Sequence, residues 1–156
     1  MNKTRMGWFD TELGIKYLCE DILREHKKID RVVVSSKDAL PCGTMMSYAF
    51  NCGIEYIDPG KDLDMSGGDI TDAELHRLHS IVSPADKVVL YDNIITEGSL
   101  IDRAISNRYS QDLPYLLISS AYIDLHCIDT IPQYSVKQGS DLIVWPWEME
   151  IDYSTL

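Results

Sequence analysis

The chain has 156 residues, 45% of them hydrophobic and 25% charged, which suits one domain with a buried core and is too short for a two-domain enzyme. A formal net charge of -11 with no basic run argues against nonspecific binding to nucleic acid or to an anionic membrane, because nothing is available to neutralise phosphates. A phosphorylated ligand would need a local site working against the overall field.

The opening segment "MNKTRMGWFDTELG" lacks the apolar stretch of a signal peptide, and no apolar run reaches membrane-spanning length. Cys19, Cys42, Cys52 and Cys127 have no CxxC or zinc-knuckle spacing and sit in apolar segments, as free thiols of a reducing compartment do. A soluble, cytoplasmic, single-domain protein spanning 1–156 is expected.

Asp10 is placed to cap a helix running to about residue 28, with Leu13, Tyr17, Leu18 and Ile22 on its inner face. "RVVVSS" (31–36) is a short, continuous apolar strand. "GTMMSYAFNCG" then reads as a helix with Met46, Ala49 and Phe50 inward and Gly53 closing it, and "IEYID" (54–58) as a further strand.

The glycine- and aspartate-rich stretch 59–69 is the most loop-like part of the chain and is expected to be mobile. Thr71 and Glu74 form a capping box for a helix carrying "ITDAELHRLHSIV". After it come the strand "KVVLYD", a helix from about Gly98 to Tyr109, the strand "PYLLISSAY" and a last strand "DLIVWPW". Continuous apolar strands alternating with amphipathic helices indicate the α/β class, a doubly wound, mostly parallel sheet flanked by helices.

Ligands of such sheets bind beyond the carboxyl ends of the strands, where the strand order reverses. Two segments therefore matter most, "VVVSSKDALP" and "VVLYDNIITEGSL". In the second, Asp92 and Asn93 can accept hydrogen bonds from ribose hydroxyls, and Asp92 can hold a magnesium ion through water. Thr96, Glu97, Gly98 and Ser99 lead into a helix start, whose backbone N–H groups suit a terminal phosphate.

Blander readings stand beside these. Asp92 and Asn93 can simply cap a turn, and Lys37 can be a solvated surface lysine. Trp145 and Trp147 suit packing as well as a base platform. His76 and His79 beside Glu74 could bind zinc, but a solvated helix face accounts for them; His126, Cys127 and Asp129 read as loop residues and are assigned no metal.

"VVLYDNIITEGSLI" resembles the phosphoribosyl-diphosphate signature of type I phosphoribosyltransferases: an apolar strand, two acidic residues, two apolar residues, then a Thr- and Gly-rich phosphate loop. Asn93 replaces the second acid, and Glu97 replaces a small or hydroxylated residue. "VSSKDALPCGTMMS" is similar to the pyrophosphate loop of the xanthine-guanine and hypoxanthine enzymes, with Lys37 at the basic position and Asp38 and Ala39 in place of glycines. "DLIVWPWEME" resembles the W-I-x-x-P-W-[DE]-M ending of the same group, with Leu142 where an aromatic residue stacks on the purine. No counterpart exists for the lysine that contacts the purine 6-oxo group, since Ser119 and Ser120 lie there.

The resemblance implies a type I phosphoribosyltransferase-like domain that transfers a phosphoribosyl group from phosphoribosyl diphosphate to a purine base such as xanthine, guanine or hypoxanthine. It implies catalytic roles for Asp92, Asn93 and Lys37, and phosphoribosyl-diphosphate contacts from those residues and from Ser36, Asp38, Thr96, Glu97, Gly98 and Ser99. Base contacts would come from Leu142, Ile143 and Glu148, magnesium would be held at Asp92, and the protein would be a homodimer. Loop 59–69 would close over the site and exclude water. The competing reading is a catalytically weakened member of the fold that binds a nucleotide or a protein partner as a regulator, since the altered positions are those that would carry the reaction.

Overall fold

The computed structural model describes residues 3–57, 77, 78, 80, 81, 86–95, 116–124, 134–139 and 142–148. In chain order the elements are β1 (Lys3–Arg5), α1 (Trp8–His26), β2 (Arg31–Val34), α2 (Leu40–Phe50), β3 (Gly53–Tyr56), β4 (Val88–Ile95), β5 (Leu116–Asp124), β6 (Tyr134–Gly139) and β7 (Leu142–Val144). Five strands form one sheet in the order β3-β2-β4-β5-β6, with every neighbouring pair parallel. This is the α/β architecture expected from the alternation of apolar strands and helices.

A parallel strand covered on both faces has no water-facing side, so it reads as an unbroken apolar run. Val32, Val33 and Val34 of β2 and Val88 through Tyr91 of β4 are all completely buried. Helix α1 presents Thr11, Ile15, Leu18, Cys19 and Ile22 to the core, a stripe at helical spacing. Tyr17, expected on that stripe, is 52% exposed. The stripe is set by Ile15 and Cys19, which lie one turn apart, and Tyr17 falls on the opposite side. Asp10 lies within the first turn, and Gly7 occupies the capping position.

Helix α2 begins earlier than expected because Pro41 suits the first turn, where a missing N–H costs nothing. It ends at Asn51, whose left-handed backbone (φ 52°) sends its N–H back to the carbonyls of Ser47 and Tyr48. Gly53 is consequently free to open β3. Met46 and Phe50 point inward as expected, whereas Ala49 is exposed. Gly43 lets the helix approach β2 and β3: a Cβ there would overlap Val34 Cγ1 and lie 3.2 Å from Ile54 Cδ1.

Strand β6 and the short β1 were not expected. β1 pairs in parallel with β7, Lys3 opposite Leu142 and Arg5 opposite Val144, forming a separate two-stranded ribbon. Under it, Ile143 and Trp145 pack against Met6, Ile94 and Trp147, and Trp147 also reaches the main core. Residues 77, 78, 80 and 81 are helical, and Leu78 is fully buried. Thr71 and Glu74, loop 59–69 and the helix expected over 98–109 lie outside the described residues. No helix among the described residues is long and apolar enough to cross a membrane.

Candidate functional site at the switch of strand order

From β2 the chain passes through α2 to β3 on one side, while β4 leads on to β5 and β6 on the other. The order therefore reverses between β2 and β4, and the crevice beyond their carboxyl ends is where a sheet of this kind receives a ligand. Pairing of β2 with β4 stops at Val34 opposite Tyr91, but β4 continues beside β5 to Ile95. Asp92 and Asn93 thus lie within β4 and not beyond its tip. Where β2 has ended, the loop Ser35–Ala39 takes its place alongside them.

Alternation along the strand sends the side chains of Asp92 and Asn93 to opposite faces. Ser35 Oγ donates to Asp92 Oδ2, and Ser36 Oγ donates to Oδ1 at 3.0 Å. The backbone N–H of Asn93 also donates to Oδ1 (2.7 Å), and that of Ile94 adds a further favourable contact. Burial raises the Asp92 carboxyl above its ordinary value, and these four donors oppose the rise.

Asn93 is only 2% exposed. Its Oδ1 accepts from the Tyr91 hydroxyl at 2.8 Å, and its Nδ2 donates to the carbonyl of Asp38. Tyr91 is itself completely buried, its phenol held well above the ordinary range by desolvation, with the Cys42 thiol against it. Cys42, Tyr91, Asn93 and Asp38 form a polar chain from the core of α2 to the loop backbone.

Loop Ser35–Ala39 is thereby tied to β4 on both flanks of Lys37. Ser36 is bonded to Asp92 and accepts from the Ala39 N–H (3.2 Å); Asp38 is bonded to Asn93; and Leu40 N–H closes a turn onto the Lys37 carbonyl (3.1 Å). The side chains of Lys37 and Asp38 are exposed. Every peptide bond among the described residues is trans.

The sequence-predicted residues Ser36, Lys37, Asp38, Asp92 and Asn93 are thus brought together, although the two groups are more than 50 residues apart in the chain. Ser35 and Tyr91 join them and were not singled out in the sequence; a pair of serines directly after the switch strand was the available signal. Thr96, Glu97, Gly98 and Ser99 lie outside the described residues, as do His76, His79, His126, Cys127 and Asp129.

The expected base-contact residues Leu142, Ile143 and Glu148 lie in and just after β7. Ile143 is buried under the ribbon, and Glu148 Oε2 accepts from the Trp145 N–H at 2.9 Å, closing the Trp-Pro-Trp turn. Trp145 and Trp147 stack on each other with ring centres 5.4 Å apart, and Trp8 meets Trp147 at 5.7 Å. Leu142 opens β7 and pairs with Lys3 of β1.

The Asp92 carboxylate is bonded within its own chain. Its Oδ1 accepts from Ser36 and from the Asn93 N–H and its Oδ2 from Ser35, and the Ile94 N–H also favours the charged form. Its neighbour at 93 supplies an amide oxygen already bonded to Tyr91. Among the described residues no group of three metal-ligating side chains occurs.

Comparison with solved structures follows the same geometry. A purine phosphoribosyltransferase from Pyrococcus horikoshii superposes with a TM-score of 0.70 and 20% identity, covering 97% of this chain and 98% of that one. The fold is that of the type I phosphoribosyltransferases. The xanthine-guanine-hypoxanthine phosphoribosyltransferase of Helicobacter pylori gives a TM-score of 0.67 at 9% identity, with 95% and 93% coverage. A hypothetical protein from Neisseria gonorrhoeae with bound ppGpp gives 0.65 at 13% identity, with 95% and 90% coverage. No protein-family model and no curated protein matches the chain. Within the phosphoribosyltransferase fold, the loop after β2 and the end of β4 are the parts described above.

Proposed function

We propose that the protein is a phosphoribosyltransferase that moves a phosphoribosyl group from phosphoribosyl diphosphate to a purine-type base. The observation that carries this reading is the convergence of Ser35–Asp38 and Asp92–Asn93 at the switch between β2 and β4, in a fold shared with purine phosphoribosyltransferases. In the reaction the ribosyl carbon loses its bond to the diphosphate oxygen and gains one to a ring nitrogen of the base, through a cationic transition state. Positioning and charge stabilisation supply most of the catalysis in such a step. Lys37, exposed on a loop anchored at both flanks, is suited to receive the leaving diphosphate. Asp92 and Asn93 are the candidates for the ribose hydroxyls, Thr96, Glu97, Gly98 and Ser99 for the 5'-phosphate, and Leu142, Ile143 and Glu148 for the base.

Magnesium belongs to this proposal as a counter-ion that comes with the diphosphate and is held through water at Asp92. A homodimer is part of the same reading, supported by the exposure of Phe9 (74%) and Tyr48 (82%) and testable by light scattering. The free thiols Cys19, Cys42 and Cys52 suit a cytoplasmic setting.

One observation favours a second reading. Asp92 accepts three hydrogen bonds from its own chain and Asn93 is buried, which leaves ribose hydroxyls little of either side chain to engage. A regulator that acts through a protein partner, or that holds a nucleotide by its phosphate, needs neither side chain on the ribose. Calorimetric titration with phosphoribosyl diphosphate and magnesium, followed by an assay for nucleotide formation from xanthine, guanine and hypoxanthine, separates the two. Nucleotide formation supports the enzyme; binding of phosphoribosyl diphosphate or of a nucleoside monophosphate without turnover supports the regulator; absence of both rejects the site.

A further inference from the structure

We infer that Asn93 is a positioning residue whose amide clamps the Ser35–Ala39 loop to β4, and that neither a carboxylate nor an apolar side chain can replace it. The hydrogen-bond requirements at this site define the argument. The Asp38 carbonyl can only accept, so the group facing it must donate. On the other side the Tyr91 hydroxyl donates to Asn93 Oδ1 at 2.8 Å. One side chain must therefore donate in one direction and accept in the other within a site that is 2% exposed. An amide does both at the size of Asn.

An ionised aspartate at the same position offers acceptors alone. It would set a carboxylate oxygen against the Asp38 carbonyl oxygen with no proton between them, in a buried place where an unmet acceptor is costly. The asparagine at the second position of an acidic pair is thus a gain of a loop anchor in place of an acid. The clamp acts beside Lys37: Asp38 is held by Asn93, while Ser36 on the other flank is held by Asp92. It fixes the backbone on both sides of Lys37, whose side chain is exposed. Its effect on ligand binding rests on the function proposed above; the clamp itself does not.

The test combines amide exchange by NMR with binding of inorganic pyrophosphate. In the wild-type protein the side-chain amide protons of Asn93 resist exchange, and Tyr91→Phe speeds their exchange. Asn93→Asp at neutral pH speeds exchange of the Ala39 and Leu40 N–H groups about tenfold, as expected for one lost buried hydrogen bond, while Val33 and Val89 in the sheet keep their protection. Pyrophosphate affinity falls about tenfold with it, and affinity for a nucleoside monophosphate falls less. Wild-type exchange at Ala39 and Leu40 in Asn93→Leu, which can neither donate nor take up a proton as a buried aspartic acid can, overturns the clamp, whatever pyrophosphate does. Faster loop exchange with no pyrophosphate binding in either protein leaves the clamp standing and removes the phosphoribosyl reading. If Asn93→Asp loosens core and loop alike, the milder Tyr91→Phe decides: acceleration confined to the loop supports the clamp, and uniform acceleration overturns it.

Discussion

Ser36 and Asp92 are 56 residues apart in the chain, yet the serine hydroxyl donates to the aspartate carboxylate at 3.0 Å. That bond joins the loop after β2 to the end of β4, the two sides of the crevice. The same hydroxyl accepts from the Ala39 N–H, so one side chain both closes the loop turn and fastens it to the neighbouring strand.

Ser36→Ala removes both functions and leaves a largely desolvated carboxylate with one donor fewer. Losing a hydrogen bond to a charged, partly buried group costs about 1–3 kcal/mol. Urea unfolding should report a loss of that size with an unchanged m-value. Wild-type stability in Ser36→Ala would mean that water replaces the hydroxyl and that the bond is not what holds the loop.

Some of this was legible in the sequence, for identifiable reasons. β2 and β4 stand out because a strand buried on both faces must be apolar throughout, and "RVVV" and "VVLY" are. "YSVKQG" did not stand out: β6 is an edge strand, needing pairing on one side only, and Lys137 and Gln138 break any apolar run. Asp92 was legible as a charge interrupting an apolar strand. The use made of Asn93 was not, because its partner Asp38 lies 55 residues away and no local pattern connects them. Nor could the sequence indicate that Glu148 would accept from the Trp145 N–H and close that turn.

Gly43→Ala should be destabilising although alanine is the better helix former. The added methyl would overlap Val34 Cγ1, and Val34 is fully buried with a β-branched side chain that has little freedom to turn away. Overpacking of this kind costs about 1–3 kcal/mol, more than the helix-propensity gain of about 1 kcal/mol. Thermal unfolding would show a lower midpoint; a higher one would mean that α2 shifts outward at no cost.

The thiols should divide by burial. Desolvation, helped by the nearby Cys52 and Glu20, pushes Cys19 up to about 12, and burial pushes Cys42 up to about 11. Only the thiolate is a nucleophile, so both should resist iodoacetamide at pH values near 8 in the folded protein. Cys52 is raised as well, mainly by burial, but is half-exposed and should be modified before them. Peptide mapping after native alkylation distinguishes the three sites. Rapid modification of Cys42 would show that the α2 core opens locally on the labelling timescale.

Asp92 offers the clearest linkage between site and stability. Burial holds its carboxyl above the ordinary value of 3.8, although Ser35, Ser36, Asn93 and Ile94 all favour the charged form. A group that binds its proton more tightly when folded contributes stability that is fully present below the unfolded value and lost as pH rises through the folded one. The wild-type protein should therefore lose this contribution on going from about pH 4 towards neutrality, whereas Asp92→Asn, neutral throughout, should not. Other carboxyl groups cancel when the two proteins are compared at each pH. Urea unfolding between about pH 4 and 8 should show the stability difference moving in favour of Asp92→Asn as pH rises. Movement in favour of the wild type instead would mean that the four donors outweigh burial, placing the folded carboxyl below 3.8 and making the Ser35 and Ser36 contacts stronger than the desolvation they offset.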